Sequence, residues 1–516
     1  MRMATRTAAP TRPFRLAWAL VCGAAIGCTA SGVDVQPKHD QLAFPTGMKV
    51  SPDGKVLFVV NANSELRYDS GSIDVIAVDR VQSVIDPWLG YLAHPTDCSS
   101  FLSGLPATAA TAVAPPDGVA RLSCTCDPDH TETLQCDEAY FINPAAGVRV
   151  GNFATDLSVQ NLGSGANPLR VFVPTRGDPS IAWADFDGTN LRCTAGSEPF
   201  ALCDDAHRLT SLYSDPDLQS LPNEPFAVFS DVVPAFDAAG NSAAPTHGFA
   251  MVTHLASGAV TLIDAPADST KVQITDIHVG VFGDPSTAAR GATAVAALRP
   301  APSRPAPGAP EVVPETLYVV SDTDNRVQQF TVGMRDGAAG YLLPGPFFLL
   351  DAVGMMAGGS GDSRSIQFSA DGQRLYLVNR APPSLQVYNT SPGPDGTPSN
   401  MLLGSSDLCR EASAAAVAGS GSDERVYVTC FQDGQIYAVN PFGQSQVEDI
   451  ISVGRGPYAV DVYPTQYPTP SQPLPLPPRY LFVSNFLEDT IAVIDISPSS
   501  ATRDRVVLRI GTPRAP

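Results

Sequence analysis

Seven short stretches decide how this chain folds: Phe58-Val59-Val60-Asn61, Phe172-Val173-Pro174-Thr175, Met251-Val252-Thr253-His254, Tyr318-Val319-Val320-Ser321, Tyr376-Leu377-Val378-Asn379, Tyr427-Val428-Thr429-Cys430 and Phe482-Val483-Ser484-Asn485. Each opens on an aromatic residue or Met, runs through strand formers and ends on a small or polar residue. In most copies a polar turn and a second alternating run follow, at 72–78, 259–264, 326–332, 384–388, 435–439 and 490–495. Alternation with period two is a strand signal. Upstream lie further strands that end in tight turns, as in 44–50 before Ser51-Pro52-Asp53-Gly54 and 365–368 before Ser369-Ala370-Asp371-Gly372. There the Gly supplies the positive φ of a reversing hairpin. Fourth strands are expected at 271–279, 446–453 and 505–510. Four antiparallel strands, seven times over, make an all-β, seven-bladed β-propeller spanning 44–512.

Strands buried on both faces read as continuous apolar runs, as 56–60 and 480–483 do, and stacked sheets cover each other's apolar faces. The largest gap between copies falls between Phe58 and Phe172, and residues 80–146 within it carry four Cys and no good copy of the pattern. That segment reads as an insert, not an eighth blade. Pro-rich loops are expected at 299–313 and 464–479, stiff and extended. Together with 188–206 and 233–247, all five long segments follow first or third strands, so they share one face of the wheel, called the bottom here. They suit either tolerated insertion or a partner-binding rim.

Residues 45–79 and 454–496, the latter with Val493-Ile494-Asp495 intact, resemble the repeat of the YVTN-type β-propeller family. The copies at 172 and 251 are degenerate. The resemblance implies the fold and leaves the chemistry open, because one scaffold hosts many activities. At the N-terminus, Arg2, Arg6, Arg12 and Arg15 precede the apolar run 16–27, too short to span a bilayer. The run ends Ala25-Ile26-Gly27-Cys28, which resembles a bacterial lipobox, with Ala25 where that family most often has Leu. The resemblance implies a lipoprotein signal peptide at 1–27, lipidation of Cys28, an anchor linker at 28–43 and, with Thr29 next, an outer-membrane lipoprotein facing periplasm or exterior. An ordinary secretory signal cleaved nearby is the alternative.

The 516 residues carry 32 Lys+Arg against 52 Asp+Glu, a net charge of −20. No basic block offsets it, so no nucleic acid is expected as a partner. Expected partners are the membrane, through the anchor, and a protein or small polar ligand. Eight Cys remain after the signal, an even number that reads as disulfides in an oxidising compartment. Cys193 and Cys203 close a short loop, and Cys409 and Cys430 fall near one end of the same unit. Cys98, Cys124, Cys126 and Cys136 keep two pairings open, since joining Cys124 to Cys126 is strained. The run Cys124-Thr125-Cys126-Asp127-Pro128-Asp129-His130 fits no four-ligand zinc spacing well, so no metal is expected. Residues 185–190 superficially resemble a calcium loop, but the spacing departs from that pattern and a hairpin turn is expected.

The loops after the seven motifs lie on the opposite, top face and converge near the axis. Their polar residues are the binding candidates: Asn61, Glu65, Arg176, Asp178, His254, Asp322, Asp324, Arg326, Asn379, Arg380, Asp433, Asn485, Glu488 and Asp489. Such a mixture suits a small polar ligand or a cation. Each residue alone also suits a turn, because Asn and Asp cap hairpins. No glycine-rich phosphate loop, nucleophile elbow or metal-binding helix is present, and no catalytic residue or cofactor is assigned. The expectation is therefore a lipid-anchored envelope propeller acting as a binding scaffold. The alternative is a hydrolase or lyase, since some propellers that resemble this chain are lactonases or lyases working at the channel mouth. In that case His254 with Asp322, Asp324 or Glu488 would be the acting groups.

Overall fold

The structure, a computed structural model, describes residues 35–514 apart from 96, 106–122, 164–166, 197, 218, 234, 237–241, 244, 269–270, 283–290, 300–311, 351–360, 395, 444 and 467–475. The signal segment with Cys28 and most of both Pro-rich loops lie outside the described residues.

Seven antiparallel four-stranded meanders stand in a ring, a seven-bladed β-propeller. The inner strands are Pro45–Val50, Ser158–Asn161, Pro225–Val232, Ala292–Leu298, Asp362–Phe368, Ala412–Ala418 and Pro457–Tyr463. The seven motifs form the second strands: Val56–Asn61, Leu169–Thr175, His247–His254, Val312–Ser321, Arg374–Ala381, Arg425–Cys430 and Tyr480–Asn485. They are apolar on both sides because each is sandwiched between neighbouring blades. Leu57 and Val59, for example, face blade 7 in one core cluster, whereas Phe58 and Val60 face blade 2 in another. Alternate side chains of a strand point to opposite faces, so one strand serves both seams.

The bottom hairpins follow their sequence. Ser51 Oγ donates to Asp53 and accepts from the Lys55 and Val56 N–H groups, while Gly54 takes φ 71°. Ser369, Asp371 and Gly372 repeat the arrangement in blade 5. Asp187 caps its own turn by accepting from the Thr189 and Asn190 N–H groups, with Gly188 at φ 90°, the expected hairpin.

All four strands of blade 7 come from the C-terminus, so no N-terminal strand completes the last sheet. The insert takes over part of that task. It leaves blade 1 as helix α1 (Val78–Ala93), whose Val81, Val84, Ile85 and Trp88 sink into the core between blades 7 and 1. After α2 (Cys98–Gly104), strands Cys124–Cys126 and Leu134–Cys136 extend blade 7 to six strands, with Leu134–Cys136 parallel to Arg505–Ile510. The insert therefore straps the first blade to the last. Disulfides Cys98–Cys126 and Cys124–Cys136 brace it, which selects one of the two open pairings; Cys193–Cys203 and Cys409–Cys430 form as expected. With both sulfurs of the 124–130 run in disulfides, those thiols are not available to a metal.

Candidate functional site

One device repeats at the top of the ring. A residue in left-handed conformation turns the chain into the inner strand: Phe44, Phe153, Glu224, Glu411 and Gly456, with φ between 53° and 67°. Its carbonyl accepts a hydrogen bond from the residue that follows the second strand of the same blade. The donors are the N–H groups of Ala62, Arg176, Leu255, Phe431 and Phe486, at 2.9–3.3 Å. Left-handed geometry is unfavourable for bulky residues and persists where surrounding bonds enforce it. This locks the post-strand position against the start of the inner strand, at the mouth of the channel. Around the ring the residue after the motif reads Ala62, Arg176, Leu255, Asp322, Arg380, Phe431 and Phe486, with Arg380 still inside its strand.

Three of the candidates, Arg176, Asp322 and Arg380, occupy this mouth position. They meet groups from the inner strands. Tyr458, on the blade 7 inner strand, is within electrostatic range of Asp156, Arg176, Arg364 and Arg380; burial raises its hydroxyl pKa. Arg364 lies 2.5 Å from Asp362 and acts on both Asp322 and Arg380. Arg176 pairs with Glu224 at 3.0 Å, and Arg380 donates to Ser413 Oγ at 3.2 Å. Glu411 also acts on Arg380. The Nε atoms of Arg176 and Arg380 are buried without a hydrogen-bond partner, whereas Arg364 Nε lies against Asp362 Oδ1. Burial and the neighbouring Arg364 depress Arg380, burial raises Asp322, and burial lifts the Asp156 carboxyl to about 6. On one side the rings of Phe431, Tyr458 and Phe486 form a cluster with centroids 5.9–6.3 Å apart. Convergent guanidinium groups, carboxylates and an aromatic wall can orient a small polar ligand with an apolar part.

The other candidates have local partners. Asn61, Asn379 and Asn485 end their motifs fully buried, and each donates across to the third strand: to Ser72, Ser384 and Thr490 at 2.9–3.2 Å. His254 holds the corresponding place, with Nε2 2.8 Å from Thr261 Oγ1; burial depresses its pKa to about 4, so it is neutral at pH 7. Asp178 pairs with Arg208 away from the axis, and Glu65 with Arg67. Asp324 caps its turn by accepting from the Arg326 N–H, and the Arg326 guanidinium lies over Phe282 and Phe347. Asp433 pairs with Arg410 and Glu488 with Arg455. Asp489 joins the ends of the ring, accepting from the Phe44 N–H at 2.5 Å and pairing with Arg514 at 2.6 Å. His254, Asp324 and Glu488 are thus held in three different blades by their own partners. Among the described residues, no group of three or more His, Cys, Asp or Glu stands where it could hold a metal ion.

Sequence reading missed Asp156, Glu224, Asp362, Arg364, Glu411, Phe431, Tyr458 and Phe486. Two positional signals point to them: the residue just after each motif, and the first residues around the start of each inner strand.

No protein-family model matches the chain, and no curated protein matches it significantly. Solved structures resemble it in fold. The β-propeller domain of Myceliophteria thermophila Cps50 (Swd1) is 10% identical with a TM-score of 0.46, covering 90% of this chain and 100% of that one. A Lactobacillus plantarum protein is 15% identical with a TM-score of 0.44, over 79% and 95%. The Pseudomonas aeruginosa periplasmic gluconolactonase PpgL is 16% identical with a TM-score of 0.43, over 76% and 97%. At such low identity none of their residues is carried over to this chain.

Proposed function

We propose that this protein is a lipid-anchored propeller of the cell envelope whose channel mouth binds a small polar ligand. One observation carries the ligand part of the reading: Arg176, Arg364, Arg380 and Tyr458, drawn from three blades, come within electrostatic range of one another, and the Nε atoms of Arg176 and Arg380 are buried and unbonded. Buried donors without partners are uncommon in folded proteins, and at a channel mouth an incoming acceptor can satisfy them. The lipobox-like Ala25-Ile26-Gly27-Cys28 motivates the anchor. Calorimetric screening of the mature protein against small carboxylates, amines and neutral polyols tests the site. A hit should lose at least tenfold in affinity in Arg380→Met while the melting temperature holds. A hit indifferent to Arg380→Met, Arg364→Met and Asp322→Asn alike sinks the assignment.

A second reading places hydrolysis of a lactone or similar ester at the same mouth. It draws on Asp156, a buried carboxyl raised to about 6 close to Tyr458, where a general base suited to neutral pH could stand. Acid release from a panel of lactones, abolished by Asp156→Asn, is its test; no turnover of any member removes it.

A further inference from the structure

We propose that the top rim built by blades 7 and 1 rests on the bilayer that holds the lipid anchor, so that the insert-bearing face points away from the membrane. This rests on the lipid-anchor reading above. The described chain begins on the top face: the Val35 N–H donates to Asp69 Oδ2 at 2.6 Å, and the Val35 carbonyl accepts from the Asp69 N–H at 3.0 Å. Asp69 belongs to the top loop that leads into Gly71–Ala77. Seven residue steps separate Cys28 from Val35, a reach of about 25 Å at full extension. The blade is itself about 20 Å tall, for six or seven residues per strand. Beneath it lie bottom hairpins and inserts, α1 among them. Fully extended, such a tether exceeds the blade height by only about 5 Å, too little to clear the bottom hairpins and inserts as well and seat that face on a bilayer.

The rim around the tether has the chemistry of a bilayer-seeking surface. Val35, Leu66 and Leu487 are 45%, 58% and 45% exposed. They lie close together: Phe44 touches Phe486 at 5.3 Å, the Arg67 guanidinium covers the Phe44 ring, and Asp489 feels the charges of both Arg67 and Glu65. Arg67, Arg455 and Arg514 stand beside the leucines, with Glu65, Glu488 and Asp489 as their respective partners. Those three carboxylates are thereby matched by cations, whereas the chain as a whole stands at −20. Exposed leucines with charge-balanced neighbours suit the headgroup boundary, where shallow burial of apolar side chains adds to a lipid anchor.

The test uses the mature, lipidated protein in vesicles of phosphatidylethanolamine doped with dibrominated phosphatidylcholine. The native Trp88 and Trp183 are buried, so single variants Leu66→Trp and Leu487→Trp report the top rim. Lys55→Trp reports the bottom hairpin, where the side chain is 79% exposed. Both rim positions should shift to the blue and lose about half their emission to the brominated lipid, as side chains buried to the headgroup boundary do. Lys55→Trp should keep its emission. Mass spectrometry of the same preparation reads the anchor separately. An unmodified Cys28 overturns the anchor reading and this inference with it. A lipidated Cys28 with Lys55→Trp quenched, or with both rim positions unquenched, overturns the orientation alone.

Discussion

Asp74 gives the sharpest test of the physical reading of the blade. It sits in the third strand of blade 1, 1% exposed, and accepts hydrogen bonds from Asn61 Nδ2 at 2.7 Å and Ser72 Oγ at 3.2 Å. Burial, reinforced more weakly by Asp40 and Glu138, lifts its carboxyl to about 8 against those two bonds. The folded protein therefore keeps a proton that the unfolded chain releases near pH 4. Between those limits the native state binds more protons than the unfolded state, so stability falls as pH rises. It is fully present below the unfolded pKa and lost as pH approaches the folded one. At ~1.4 kcal/mol per pH unit, the loss between pH 5 and pH 8 is at most about 4 kcal/mol, less where water relaxes the site. Asp74→Asn removes the titration and keeps an acceptor for Asn61. Urea unfolding of both proteins at pH 5, 6, 7 and 8 should show the wild type losing ground to the variant by several kcal/mol in total. A stability difference that stays flat over this range, or that grows in favour of the wild type as pH rises, refutes the reasoning.

Two further outcomes probe ring closure and one the top loops. Trp88→Ala empties the strap's largest contact with the blade 7–blade 1 core and loses the indole N–H bond to the Glu132 carbonyl; it should cost about 3–5 kcal/mol by chemical denaturation. Asp489→Ala removes the carboxylate that pairs with Arg514 and accepts from the Phe44 N–H; it should cost about 3 kcal/mol, with Arg514→Met adding little on top in a double-mutant cycle. Gly454→Ala forces a side chain onto φ 139°, with its Cβ 2.6 Å from Asn485 Nδ2 and Glu488 Oε2; a stability loss of about 1–3 kcal/mol is expected by thermal melting.

The fold was legible because burial on two faces writes an unbroken apolar word, and the word recurs seven times. The strap was less so. Helix α1 does carry a helical pattern, Val78, Val81, Val84, Ile85 and Trp88, but Pro87 interrupts it and the surrounding chain reads as strands. Its docking against a sheet more than 370 residues away is a tertiary fact that no local pattern states. The mouth was half legible for a simple geometric reason. Asn61 and Ala62, or Asn379 and Arg380, are adjacent, yet successive side chains leave a strand on opposite sides. The last residue of the motif turns into the blade and bonds to the third strand. The next residue faces the channel. Polarity alone selects both equally, so Asn61, Asn379 and Asn485 were chosen together with Arg176, Asp322 and Arg380. Asp156, just before its inner strand, and the inner-strand residues Arg364 and Tyr458 carry no such signal, because inner strands have no fixed motif.

Closure and site are mechanically connected at this level of the ring. Inner strands of neighbouring blades are tied by side chain to backbone: Asp156 accepts from the Val228 N–H, Thr293 donates to the Ser363 carbonyl, and Ser365 accepts from the Ala415 N–H. The last seam uses the same scheme, with Asp461 accepting from the Val50 N–H at 2.7 Å and pairing with Lys49 at 3.2 Å. Because blade 7 borrows no strand from the N-terminus, this seam depends on such bonds, on the buried Leu42 wedge and on the strap. Tyr458 stands on the same inner strand as Asp461, and its electrostatic neighbours Asp156, Arg176, Arg364 and Arg380 sit in blades 2 and 5. Loosening the strap should therefore disturb the mouth before the ring unfolds, since the position of Tyr458 against the arginines is set by how tightly blade 7 meets blade 1.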